Sequence, residues 1–194
     1  MKYVPRDDER VMVFIDIKNL DIALAKMNPN YYKCLRIDYE EMVDNLVGSR
    51  RLVNAYIFDG ISAENPNENV RFYDKLRSQG FIVLTTPNSM YDSGQKGVDV
   101  NLAINIVEGA ILDKYDTAIV VSEDKDFVPA IEMARNRGKR VECAGFNPMS
   151  GYLHIRCDSW TDLNEMQIIT CSQSMIDDTV GNQEEAVEEV QITA

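Results

Sequence analysis

Val120-Val121-Ser122-Glu123-Asp124-Lys125-Asp126-Phe127 is the stretch on which the reading of the chain turns. The apolar run Ala118 to Val121 stops at Ser122, and Phe127, Ala130, Ile131 and Ala134 then recur at helical spacing. That pattern is a buried strand, a tight polar turn and an amphipathic helix. Pro129 is tolerated only in a first helical turn, so the helix begins near Asp126. Glu123, Asp124 and Asp126 crowd the turn, where like charges repel and a cation would relieve them. One acid can be a helix cap, but capping does not require three. Glu123 is expected on the solvent side.

Outward from this unit the same alternation repeats. Val11 to Ile15 is a continuous apolar run, as expected of a strand covered on both faces, and it ends in Asp16. A helical pattern follows through Leu20, Ala23, Leu24 and Met27. A second helix is expected from Asp38 to Val47, stopped by Gly48, and a strand from Leu52 to Phe58. Val70, Tyr73 and Leu76 mark a helix opened by Asn65-Pro66-Asn67 and closed by Gly80, and Phe81 to Leu84 reads as the next strand. Thr85 to Gly97 lacks periodicity and is a candidate substrate flap. A helix from Val98 to Leu112, a strand from Thr117 to Val121 and a short strand from Arg140 to Ala144 complete the pattern, with an irregular docking segment around Leu153, Trp160 and Leu163. Strands alternating with helices imply an α/β fold in which a parallel sheet is covered on both faces. Ligands of such sheets bind at the carboxyl ends of the strands, where Asp16 and the Ser122–Asp126 turn both fall.

A chain of 194 residues is read as one domain over residues 10–165, with a loose polar arm at 1–9 and an acidic, disordered tail at 172–194. Most of the net charge of −12 lies after Arg156. Nine acids and no Lys or Arg follow Arg156, so residues 1–157 carry only −3. Basic groups such as Arg135-Arg137-Lys139-Arg140 are more often solvated faces than phosphate-binding patches. No apolar run is long enough for a membrane span, and the first residues lack a signal-peptide core. With four cysteines far apart in sequence and no C-x-x-C, the expectation is a cytoplasmic protein with reduced thiols.

Asp99 is the third acid of interest. On a helix advancing about 100° per residue, it falls within the apolar stripe of Leu102, Ala103, Ile106, Val107 and Ala110. An acid there is costly unless paired, hydrogen-bonded or metal-bound, although a helix N-terminus also favours one. No G-x-G-x-x-G follows the first strand, Ser93 to Gly97 lacks P-loop spacing, and no G-x-S-x-G elbow occurs. His154 is the one histidine. Several acids with almost no histidine favour divalent-metal chemistry with oxygen ligands.

Three blocks, Phe14-Ile15-Asp16 with Asn19, Lys96-Gly97-Val98-Asp99-Val100 with Leu102-Ala103, and Ser122-x-Asp124-x-Asp126-Phe127, resemble the NYN domain in its LabA-like branch, within the PIN-like nuclease superfamily. The resemblance covers about residues 10–165. It implies a Rossmann-like three-layer α/β/α fold with a mainly parallel central sheet, and a ribonuclease that hydrolyses phosphodiester bonds of single-stranded or structured RNA with Mg²⁺ or Mn²⁺. Carried over by position, Asp16, Asp99, Asp124 and Asp126 are the metal-binding, catalytic acids, and Asn19, Lys96 and Ser122 the substrate-side residues. The chain departs from the family pattern at Asn105, where an acid is usual, and at Glu123, where glycine is. Those departures keep open a non-cleaving RNA- or protein-binding module, and the fold also permits a phosphohydrolase acting on small nucleotides. A homodimer, or a protein partner held by the acidic tail, is a further expectation.

Overall fold

The computed structural model describes residues 3–30, 32–61, 69–87, 95–147 and 151–171, with backbone alone at Gln95, Lys96, Gly151 and Tyr152. The acidic tail and the centre of the expected flap lie outside these residues.

Six parallel strands form the main sheet: β1 (Arg10–Asp16), β3 (Arg51–Ile61), β4 (Ile82–Pro87), β5 (Thr117–Val121), β6 (Arg140–Gly145) and β7 (Ser159–Asp162). Their spatial order is β4-β3-β1-β5-β6-β7. The chain therefore builds outward from β1 in one direction, returns, and builds outward from β5 in the other. This is doubly wound topology, with its switch point between β1 and β5. The continuous apolar run of β1 is explained by its two faces. Val11, Val13 and Ile15 enter one core with Leu20, Met42 and Leu46, while Met12 and Phe14 enter the other with Leu102, Ile106 and Ile131.

Helices α1 (Ile17–Met27), α2 (Tyr39–Val47), α3 (Val70–Ser78), α4 (Gln95–Ile111) and α5 (Val128–Asn136) cover the sheet, and α6 (Gly151–His154) is a single turn. Asp38 caps α2 by accepting from the Glu41 N–H at 3.1 Å. Gly48 ends that helix at φ 61°, a conformation that favours glycine. None of the described helices is long and apolar enough to cross a membrane.

The sequence expectations need four corrections. Residues 3–9 do not hang loose: Glu9 is 4% exposed, accepts from Tyr3 and Thr117, and sits with Glu142 around the buried Arg50. The Arg140 guanidinium lies 3.8 Å from the centre of the Tyr3 ring. The expected flap is shorter at both ends, because β4 runs to Pro87 and α4 starts at Gln95. The segment after Gly145 is not wholly irregular, since it supplies β7 to the sheet edge. A second, antiparallel sheet pairs β2 (Leu35–Ile37) with β8 (Ile169–Cys171), and three-residue strands carry too little pattern to be read in advance. All four cysteines are free thiols, but they meet in two pairs, Cys143 with Cys157 and Cys34 with Cys171.

Candidate functional site

Asp16 ends β1 and serves as N-cap of α1, its side chain accepting from the Asn19 N–H at 3.1 Å. Its other oxygen accepts from the Ser122 hydroxyl at 3.2 Å. Asp16 is 2% exposed, and burial pushes its carboxyl up to about 6. The Asn19 N–H and the Ser122 hydroxyl oppose that rise, while the charges of Asp99 and Asp124 add to it.

Ser122 is fully buried and its oxygen also accepts from the Asp124 N–H at 3.1 Å, so this hydroxyl ties the end of β1 to the turn after β5. The Asn19 side chain reaches across the same gap and accepts from the Glu123 N–H at 2.8 Å. Together these two side chains lock the switch point. Asp124 then caps a short 3₁₀ turn, Lys125–Phe127, by accepting from the Asp126 N–H at 2.9 Å, and α5 follows with Pro129 in its first turn.

Asp99 comes from the first turns of α4. Its carboxyl is raised by burial first, then by the charges of Asp124 and Asp126. Asp16, Asp99, Asp124 and Asp126 are thus linked by mutual repulsion at the carboxyl ends of β1 and β5. Among the described residues, no Lys or Arg pairs with any of the four. Nor does any group of three or more His, Cys, Asp or Glu side chains among them stand in an arrangement able to hold a metal ion. The donor set, all carboxylate oxygen, is of the kind that a hard divalent cation takes.

Of the two residues at which the chain departs from the family pattern, Glu123 also departs from expectation. Glu123 does not face solvent: its Oε1 accepts from the N–H groups of Phe146 and Asn147, each at 2.8 Å, and clamps the loop after β6. Its charge is thereby spent on the scaffold. Asn105 turns back along α4, its amide donating to the Asn101 carbonyl at 2.9 Å and to the Asn101 side chain at 3.0 Å. The Lys96 side chain lies outside the described residues.

Sequence reasoning passed over Asp59. It stands near the end of β3, is 9% exposed, and accepts from Tyr73 Oη at 2.9 Å and from its neighbour's Gly60 N–H at 2.7 Å. The signal, an acid closing the apolar run Leu52 to Phe58, is the one that singled out Asp16. Burial raises this carboxyl, while its hydrogen bonds and the nearby Lys18 oppose the rise.

Fold and site together define a doubly wound α/β protein with an acidic cluster at its switch point. The chain matches the NYN domain family over residues 10–164 and belongs to that family, which includes nucleases. It is similar to the low amplitude and bright protein LabA of Synechococcus elongatus, with 26% identity over 81% of this chain and 86% of the relative. A 51-residue stretch is 41% identical to the uncharacterized protein MJ0482 of Methanocaldococcus jannaschii, spanning 26% of this chain and 21% of that protein. Among solved structures, a Vibrio parahaemolyticus protein of unknown function, VPA0982, shares the fold with a TM-score of 0.63 and 22% identity, over 83% of this chain and 96% of that one.

Proposed function

We propose that this NYN domain is a divalent-metal-dependent ribonuclease acting at the β1–β5 switch point. One observation carries the reading: Asp16 is 2% exposed, is raised by burial and by two neighbouring acids, and has no basic side chain to balance it among the described residues. Such an arrangement is unfavourable for folding alone and becomes favourable with a cation bound. Asp16, Asp99, Asp124 and Asp126 would hold Mg²⁺ or Mn²⁺, their side chains closing around the cation. The bound cation supplies Lewis-acid polarisation of the phosphate and activation of water. Asn19 and Ser122 keep β1 and the turn after β5 in register, so that Asp16 and Asp124 approach the cation from fixed backbones. Lys96, one turn before Asp99 on α4, would meet a substrate phosphate.

The tied-back Asn105 favours a second reading, an RNA- or protein-binding module that does not cut, because it stands where the family pattern has an acid. A phosphohydrolase acting on small nucleotides is the third. Cleavage of a labelled RNA panel with Mn²⁺, Mg²⁺ or EDTA, comparing wild type with Asp16→Asn, tests the proposal. Metal-dependent products absent from the variant are the expected result. Metal binding without products would support the module or the phosphohydrolase, and mononucleotide turnover separates those two.

A further inference from the structure

A second concavity lies on the β3 side of α1, with Ile17 and Lys18, which follow Asp16, in its wall and a volume of about 750 Å³. This is within the range of sites for small organic ligands. Its wall includes Lys18 and Asp21 of α1, Arg36 of β2, Tyr39 of α2, Asp59 of β3 and Phe72 of α3. The polar groups differ in what they leave unused. Both oxygens of Asp59 are occupied by Tyr73 and Gly60, so it is wall. Asp21 is exposed on α1 and has no hydrogen-bond or ion-pair partner within hydrogen-bonding range among the described residues, so its carboxylate offers two acceptors side by side to solvent or to a ligand. Tyr39 is 7% exposed, yet its hydroxyl also lacks a hydrogen-bond partner among the described residues. The hydroxyl oxygen is not enclosed, unlike the unpartnered Arg50 and Trp160 nitrogens, so it opens onto the concavity, where water or a ligand can partner it. The Tyr39 and Phe72 rings are 6.1 Å apart, and Lys18 and Arg36 bring positive charge near Asp21.

A ligand matching this wall presents two adjacent N–H donors to Asp21, an acceptor beside them for the Tyr39 hydroxyl, a flat apolar body, and negative charge for Lys18 and Arg36. Guanine alone among the four RNA bases carries two neighbouring donors followed by an acceptor, N2–H and N1–H then O6, along its Watson–Crick edge. Adenine and cytosine pair one amino group with a bare ring nitrogen, and uracil sets one N–H between two carbonyls. We infer that this pocket binds a guanine nucleotide of the RNA strand whose backbone reaches the acid cluster across the carboxyl end of β1. The inference rests on the ribonuclease reading for the strand, and on the pocket alone for the base.

The test is made in EDTA, so that binding is read without cleavage. GMP, AMP, CMP and UMP are titrated by calorimetry, and fluorescein-labelled UUGUUU and UUUUUU by anisotropy. GMP is expected to bind at least tenfold more tightly than UMP, and the single guanine to raise oligonucleotide affinity at least tenfold. Asp21→Asn and Tyr39→Phe, each checked for native circular dichroism and melting temperature, should reduce the preference, Asp21→Asn by tenfold or more, with UUUUUU binding unchanged. Equal binding of all four nucleotides, or an undiminished preference in folded Asp21→Asn, overturns the pocket assignment. Preference for GMP without preference for UUGUUU overturns the strand assignment. Guanine binding with no metal-dependent cleavage would refute the ribonuclease reading and leave the base assignment standing.

Discussion

Replacing Asp16 with asparagine should make the metal-free protein more stable. In the native state this carboxyl titrates at about 6, against an ordinary 3.8. The native state therefore retains its proton to higher pH than the unfolded chain does. Stability falls as pH rises from about 4 to about 6, and above that range the whole cost is present. At 1.36 kcal/mol per pH unit the cost is about 3 kcal/mol. Asparagine keeps the oxygen that accepts from the Asn19 N–H and loses the carboxylate's acceptance from Ser122, a loss of about 1 kcal/mol. The net gain above pH 7 is about 2 kcal/mol, or about 4–8 °C in melting temperature for a domain of this size. Thermal unfolding in EDTA at pH 4 and pH 8 provides the comparison: the variant should lead at pH 8 and lose that lead at pH 4. Adding Mn²⁺ should raise the wild type and not the variant. A variant at or below wild type at pH 8 in EDTA would refute the claim that Asp16 is held at an energetic loss.

Three further substitutions probe the scaffold around the site. Arg50→Met leaves Glu9, whose side chain is only 6% exposed, without its cation and Glu142 with Arg140 alone; this should cost about 3–5 kcal/mol in urea unfolding, whereas a loss under about 1 kcal/mol would mean that water and Arg140 already compensate the two acids. Glu123→Ala removes the acceptor of the Phe146 and Asn147 N–H groups and should cost about 1–3 kcal/mol; it should also speed amide exchange at those two residues, and unchanged exchange there would deny the clamp. Gly97→Ala places a Cβ 2.7 Å from the Thr86 methyl carbon, so it should cost about 1–3 kcal/mol and displace the helical turn bearing Asp99. Adding Thr86→Ser, which removes that methyl, should restore both stability and activity, and a failure to restore stability would place the strain elsewhere.

Residues that are both periodic and apolar made the central fold legible. The run Val11–Ile15, the run Ala118–Val121 and the stripe Leu102–Ile106–Ala110 each specify one element, and their order specifies a parallel sheet. Asp16 and the Ser122 turn could be placed at one end of that sheet because every parallel strand points the same way. Side-chain commitments were not legible. Nothing in Ser122-Glu123-Asp124 indicates that Glu123 will fold over to Phe146, since that partner lies across the neighbouring strand. Glu9 looked like part of a polar arm because its cation, Arg50, is about forty residues away in sequence. Tyr39 and Asp21 belong to ordinary amphipathic helices, and only the arrangement of α1, α2 and β2 gives them a shared pocket.

The small β2–β8 sheet bears on the order in which the molecule assembles. Leu35 pairs with Cys171 and Ile37 with Ile169, joining segments more than 130 residues apart through very short strands. Closing so long a loop is entropically costly, and few contacts repay it. This ribbon should therefore form last during refolding and open first in native-state hydrogen exchange, ahead of the β1–β3–β5 centre. Because Arg36 lies in β2, one wall of the guanine pocket would share that opening. A ligand bound there would slow exchange at residues 169–171 without touching them, and the last described strand of the chain would report on occupancy near its first helix.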